Sequence, residues 1–318
     1  MQQATKLKAY TALSFAVLFW GTSYVGTKVA LESFPPLILA FLRFFVAGAL
    51  FGSLLLLKGW PRMPSSFHKK ILSVAFFLPG LYFVFENFGV KYTTATKASL
   101  IAATIPVVVL MLSVAVIGEK LTRRRVISLV LSLGGVALLV FHGEAAQNNV
   151  LKASTGDLLM VGAVFSAAIY MILVRKMSED YSSLVVTAFQ MIYGALFFAP
   201  FFIVQGVELN WAEVGTRQWG ALLVLVLLAT IGAFFAYNYA LQVIAASRAA
   251  LFINVVPFVT AFASWMMLGE CLTAIQMAGG ALVIMAAVLA NSSTQQPEAE
   301  KSERTPGGSS VSANIDPV

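Results

Sequence analysis

A helix that crosses a bilayer needs about 20 mostly apolar residues, and this chain carries ten such runs one after another. They lie near 10–31, 36–57, 71–91, 97–117, 125–141, 157–175, 182–204, 219–241, 248–268 and 273–291. Each run is continuous, without the in-out alternation of a membrane β-barrel. Hydrophobic residues make up 59% of the 318 positions, and charged residues only 11%, against about 25% in a soluble domain. Mean hydropathy is +0.85. A soluble fold of this size needs a polar skin that the composition cannot supply. The expected fold is therefore an all-α membrane protein with ten transmembrane helices.

The net charge of +7 falls between the spans and not in a patch with interleaved aromatics, so it reads as topology and not as nucleic-acid binding. With the N-terminus in the cytoplasm, 15 of the 21 Lys and Arg lie on the cytoplasmic side, including the run Arg123, Arg124, Arg125. Five lie outside: Lys28, Lys91, Lys97, Lys152 and Arg217. Arg43 falls within a span. This bias predicts both termini in the cytoplasm. The first run follows Lys6 and Lys8, is too long for a signal-peptide core and has no clear small-residue cleavage site, so it reads as a retained helix. Residues 292–318 are polar and rich in Pro, Gly and Ser, and are expected to form a disordered cytoplasmic tail.

Several chemistries are excluded. Cys271 is the only cysteine and has no disulfide partner. His68 and His142 fall in predicted loops, and no His/Cys/Asp grouping suits a metal. There is no P-loop for direct ATP drive. No nucleophile–base pair lies at membrane depth for an enzyme, and no filter-like segment suits a channel. No cofactor is implied.

The chain repeats itself. At a shift of 151 residues, 87–138 lies on 238–289 without a gap, with 13 identities in 52 positions. Among them are Asn87/Asn238, Pro106/Pro257 and GEKLT (118–122) over GECLT (269–273). The front of each half matches at a shift of 147, which pairs Lys28 with Arg175, Phe34 with Tyr181 and Arg43 with Gln190. Five helices per half force the second half into the membrane upside down. That is the inverted-repeat plan of secondary transporters, with a site near the midplane. The predicted domains are repeat 1 over 10–141 and repeat 2 over 157–291. A duplicated scaffold without transport is the alternative.

Trp20 and Gly21 in the first span, Asn87 before a turn rich in Ala, Thr and Ser up to Ser99, the prolines 106 and 257, and the repeated Gly-Glu-x-Leu-Thr carry a resemblance to a known family. Over about 10–291 the chain resembles the drug/metabolite transporter superfamily, EamA type. The resemblance implies ten helices, two EamA repeats and export of metabolites, amino acids or toxic compounds. It says little about which substrate.

Candidate mechanistic residues follow from position. Pro106 and Pro257 sit mid-span and would free the carbonyls of Ala102 and Ile253, as kinks lining a pathway or as bends that shape packing. Glu119 and Glu270 repeat at helix ends and read as caps of the next helix at Thr122 and Thr273, or as gates. Glu86 lies inside span three, where a carboxylate is costly unless paired or wet. It is a candidate proton-coupling acid, or a partner of Lys91 or Lys97. Arg43 either grips a substrate carboxylate or fixes helix two to helix three by pairing with Glu86.

Asn87 and Asn238 either bridge helices or face a cavity. Trp20, Tyr24, Tyr82, Tyr170 and Tyr237 are amphipathic rings away from the interfaces, suited to an organic solute or to packing. Ser99 and Asn254 are polar positions that join them, although the Ala95–Ser99 row equally permits close helix packing. The expected partners are a small-molecule substrate, the lipid bilayer and, through Glu86, protons. A bacterial inner membrane is the expected location, and the oligomeric state is open. The expected function is a secondary transporter, with a nucleotide-sugar or phosphate-ester exchanger of the same fold as the alternative.

Overall fold

The structure is a computed structural model that describes residues 2–117, 122–141, 150–178, 181–241, 252 and 254–292. Glu119, His142 and Arg248, the side chain of Asn238 and the predicted tail beyond Ser292 lie outside the described residues.

Among the described residues every regular element is helical. The elements are α1 (Gln2–Ala30), α2 (Pro36–Lys58), α3 (Ser65–Ala75), α4 (Tyr82–Tyr92), α5 (Ala95–Ala102), α6 (Ile105–Ile117), α7 (Arg123–Phe141), α8 (Val150–Ser178), α9 (Ser183–Gln205), α10 (Thr216–Val224), α11 (Ala233–Leu241), α12 (Val256–Leu268) and α13 (Ala274–Ser292). Six helical stretches are long and apolar enough to cross a membrane: Pro36–Lys58, Ser65–Tyr92, Ala95–Leu112, Thr155–Leu173, Leu184–Gln205 and Thr216–Tyr237. Val126–Leu139, Val256–Leu268 and Ala274–Leu289 are shorter apolar helices. The first helix has the length, with 29 residues, but Thr, Ser, Gly and Tyr dilute it.

Large apolar side chains face outward all round. Phe262, Trp265 and Met266 on α12 are 61%, 60% and 66% exposed. In water such a surface would aggregate; against lipid tails it costs nothing.

Local chemistry sets the helix ends. Pro36 opens α2 in the first turn, where its missing N–H is not needed. Gly269 closes α12 at φ +68°, a left-handed conformation natural to glycine, with its N–H on the Ser264 carbonyl. α13 begins with a reciprocal cap: Gln276 N–H donates to Thr273 Oγ1 (3.3 Å), and Thr273 N–H donates to Gln276 Oε1 (3.0 Å).

Four expected spans are interrupted. Between α3 and α4 the backbone runs through a π segment, Phe76–Leu81, in which Leu78 is extended and the Leu78–Pro79 bond is cis. A second π segment, Leu225–Gly232, joins α10 to α11. The expected kinks at Pro106 and Pro257 are instead breaks. α5 ends at Ala102 and α6 restarts at Ile105, while α12 starts at Val256. Both prolines therefore sit in the first turn of a new helix, where they remove no helical bond. His68, expected in a loop, lies within α3.

Packing interleaves the chain. α2 lies along α9, and α7 along α13. α4 packs on α8, while α1 packs on α10, α11 and α12. α7 and α13 cross where a Cβ added to Gly135 would stand 2.7 Å from the Gly279 carbonyl oxygen, so backbone meets backbone there. Two large cores result, and Tyr82, Ile105 and Ile231 pack against both.

Candidate functional site

The seam between the two cores holds a cluster of buried polar groups. α4 contributes Tyr82 and Glu86, one turn apart on one face, and the Tyr82 hydroxyl donates to Glu86 Oε1 at 3.1 Å. Glu86 is 7% exposed, and its other oxygen, Oε2, has no hydrogen-bond partner. Tyr24 of α1 is buried beside Tyr82 and Glu86. Arg43 of α2 is 3% exposed. Its guanidinium lies 4.6 Å from the centre of the Phe83 ring and donates from Nε and Nη2 to the Thr230 hydroxyl at 3.3 and 3.2 Å. The Arg43 and Glu86 charges act on each other across the cluster. The expected ion pair between them is not what holds Arg43, whose donors go to the π segment of the tenth and eleventh helices.

A second set lies on the other half. Trp20 packs on Phe234 (5.6 Å between ring centres) and on Tyr237 (5.0 Å). Tyr237 lies near Tyr170 of α8, which in turn lies near Gln190 of α9. The Gln190 amide donates to the Leu78 carbonyl at 2.9 Å. Of the residues expected from sequence, Tyr24, Arg43, Tyr82 and Glu86 thus gather around a buried acid and a buried guanidinium, while Trp20, Tyr170 and Tyr237 form the second, aromatic and hydroxyl-bearing set.

The others stand apart. The Asn87 amide donates to the Pro36 carbonyl at 2.8 Å, a bridge from α4 to the start of α2, while its Oδ1 is unpaired. The Ser99 hydroxyl turns back onto the Thr96 carbonyl of its own helix. Asn254, in the turn before α12, is 4% exposed with neither amide atom partnered. A cavity of about 400 Å³ between α3 and α9, lined by Leu72, Phe76, Tyr193 and Phe197, shares no residue with the cluster.

The end of the bundle where α4 gives way to α5 carries chemistry that the sequence reading missed. Lys97 Nζ contacts Asp157 Oδ2 at 2.5 Å, with the side chains 3% and 0% exposed, and the Thr93 hydroxyl donates to Asp157 Oδ1 at 2.5 Å. Lys97 is thereby unavailable to Glu86, and Lys91 is exposed. Lys28 Nζ donates to the carbonyls closing α4, at 2.8 Å to Val90 and also to Thr93.

Glu270 does not cap the helix that follows it, because Gln276 and Thr273 already do that. Its carboxylate crosses to the N-terminus of α5, accepting from the N–H of Ala95 (3.0 Å) and Thr96 (3.1 Å) and from the Thr96 hydroxyl (2.9 Å). The exposed amides and positive pole of a helix start account for the fit. Asp157 was silent in the sequence because nothing local marks an acid near the start of a long apolar run as half of a pair.

A bundle of apolar helices around a buried, mixed-charge aromatic cluster defines a multi-pass membrane protein. The EamA-like transporter family model matches residues 7–141 and 154–292. The chain belongs to that family. It is 26% identical over 296 residues to the Bacillus subtilis (strain 168) uncharacterized transporter YetK, covering 92% of this chain and 90% of that one. It is 29% identical over 292 residues to an uncharacterized transporter of Archaeoglobus fulgidus, covering 91% of this chain and 99% of the relative. A solved crystal structure at 20% identity covers 94% of this chain and 100% of its own length, with a TM-score of 0.63; that similarity speaks to fold alone.

Proposed function

We propose that the protein is a secondary transporter that exports small organic solutes such as amino acids or drugs, by alternating access between two inverted five-helix halves, with ten spans and both termini in the cytoplasm. The internal repeat supports this. So does the helix pairing: α2 lies on α9 and α7 on α13, each helix against its own repeat mate. The first span lies on the eighth and ninth, and the sixth on the third and fourth, the exchange of partners that a two-fold relation between the halves would produce.

The observation that carries the proposal is the central cluster. Its aromatic walls and hydroxyls suit an organic body, and Glu86 Oε2 and Arg43 offer opposite charges to a polar one. Glu86 is the coupling acid in this reading, because a carboxylate with a free oxygen at this depth is stabilised by taking up a proton or a cationic group.

The exchanger of nucleotide sugars or phosphate esters is disfavoured. Multiply charged anions need several free cations, yet Lys97 is spent on Asp157, and Lys28 faces backbone carbonyls.

The test is solute flux in proteoliposomes across an amino-acid and cationic-drug panel, wild type beside Glu86→Gln, with and without a pH gradient. Flux that follows the gradient in wild type and ignores it in Glu86→Gln supports coupling through Glu86. Equal, gradient-independent flux makes Glu86 structural and the protein a facilitator.

A further inference from the structure

The two π segments occupy equivalent places in the repeat. Shifted by 151, residues 76–81 fall on 227–232, within Leu225–Gly232. Their sequences differ, FFLPGL against LLATIG, so the irregularity is kept while the residues that make it are not. Each segment departs from regular α-helical bonding and leaves carbonyls that need partners, which a lipid-embedded bundle must supply from its own side chains.

The suppliers are also equivalent. The Gln190 amide donates directly to the Leu78 carbonyl (2.9 Å). Arg43, the mate of Gln190 at the 147 shift, donates to the Thr230 hydroxyl (3.3 and 3.2 Å), which in turn donates to the Leu225 carbonyl (2.9 Å). Each bond runs from the second helix of one half to the broken third helix of the other.

We infer that Arg43 and Gln190, acting through Thr230 and Leu78, are paired positioning residues. Each holds the hinge of the opposite half, and together they set the balance between the outward-open and inward-open forms. The inference rests on the alternating-access reading. Because the halves are inverted, slackening one hinge favours opening on one face, and slackening the other favours the opposite face. The two clasps are unequal in chemistry. One is charge-assisted and relayed by a hydroxyl; the other is neutral and direct. A charged donor makes the stronger bond, so the resting balance is biased by the Arg43 clasp.

The experiment uses the full chain in nanodiscs with Cys271→Ser and spin labels at Tyr92→Cys and Arg217→Cys, which lie at the outer ends of spans three and eight. The distance distribution between the labels is read for wild type, Gln190→Met, Thr230→Val and Thr230→Ser. Thr230→Ser keeps the hydroxyl and should match wild type. Gln190→Met and Thr230→Val should change the ratio of the two distance populations about fivefold each, in opposite directions, as expected for one hydrogen bond.

Shifts in the same direction, or less than about twofold in both, overturn the inference when wild type shows two populations. A Thr230→Val variant that fails to fold leaves Gln190→Met against Thr230→Ser as the deciding pair: no shift in Gln190→Met then overturns it. A wild type with one fixed distance under every solute and gradient overturns the alternating-access reading itself, and the clasp with it.

Discussion

Asp157→Asn should be among the most damaging single substitutions in the chain. The Lys97 ammonium sits 2.5 Å from Asp157 Oδ2 and is 3% exposed. The asparagine keeps the shape and an acceptor for the Thr93 hydroxyl but strips the counter-charge from a cation that cannot reach water. Breaking a buried pair from one side costs about 3 to 5 kcal/mol, whereas replacing both partners by apolar residues is close to neutral. At 1.36 kcal/mol per factor of ten, the single change lowers the folding equilibrium by roughly two to three and a half orders of magnitude. Lys97→Met with Asp157→Leu should recover most of that loss. The assay is a double-mutant cycle by reversible unfolding in mixed micelles. An Asp157→Asn protein within about 1 kcal/mol of wild type would mean that water reaches Lys97, and the burial argument would be wrong.

Glu270→Gln should cost about 1 to 3 kcal/mol, because a neutral amide accepts less strongly from the α5 start and offers one acceptor oxygen in place of two; unfolding of Glu270→Gln beside Glu270→Asp checks it, and equal stability of Glu270→Gln and wild type would refute the cap. Gly135→Val should separate α7 from α13, where a Cβ at this position already meets the Gly279 carbonyl oxygen at 2.7 Å, and lower the melting temperature in detergent by several degrees; an unchanged melting temperature would contradict the close approach. Gln276→Ala should cost about 1 kcal/mol through loss of the reciprocal cap with Thr273, readable as a change in the unfolding midpoint.

Apolar run length placed helices along the chain, because ~20 residues of uninterrupted hydrophobicity admit one backbone solution in lipid. It could not see inside a run. Pro79, Pro106 and Pro257 all lie in continuous apolar sequence, yet the first falls in a π segment and the other two begin fresh helices. Hydropathy carries no term for where backbone bonding is interrupted. The central cluster was readable from rare residue types at membrane depth: one Glu, one Arg and a handful of Tyr and Trp stand out against Leu and Val. Its wiring was not. Arg43 ends on Thr230, 187 positions away, and Lys97 on Asp157, 60 positions away. The repeat hinted at Gln190 through its match to Arg43, while Thr230 and Asp157 had no counterpart to flag them. The conserved-looking Gly-Glu pair was recognisable as structural, but its reach across to α5 depends on the left-handed turn at Gly269, which only the folded chain displays.

The grip on the start of α5 has a consequence for how the protein is made. Residues 95–97 emerge from the ribosome long before their partners, Asp157 and Glu270. The ammonium of Lys97 lacks its carboxylate until residue 157 is synthesised, and the amides opening α5 lack theirs until residue 270. The first helix likewise waits for the tenth, eleventh and twelfth to arrive before its main packing face is covered. The early half of the chain is thus a guest of the translocon or the lipid until nearly the whole polypeptide is present, and a truncated product ending near residue 141 is a natural target for membrane proteolysis rather than a stable half-transporter.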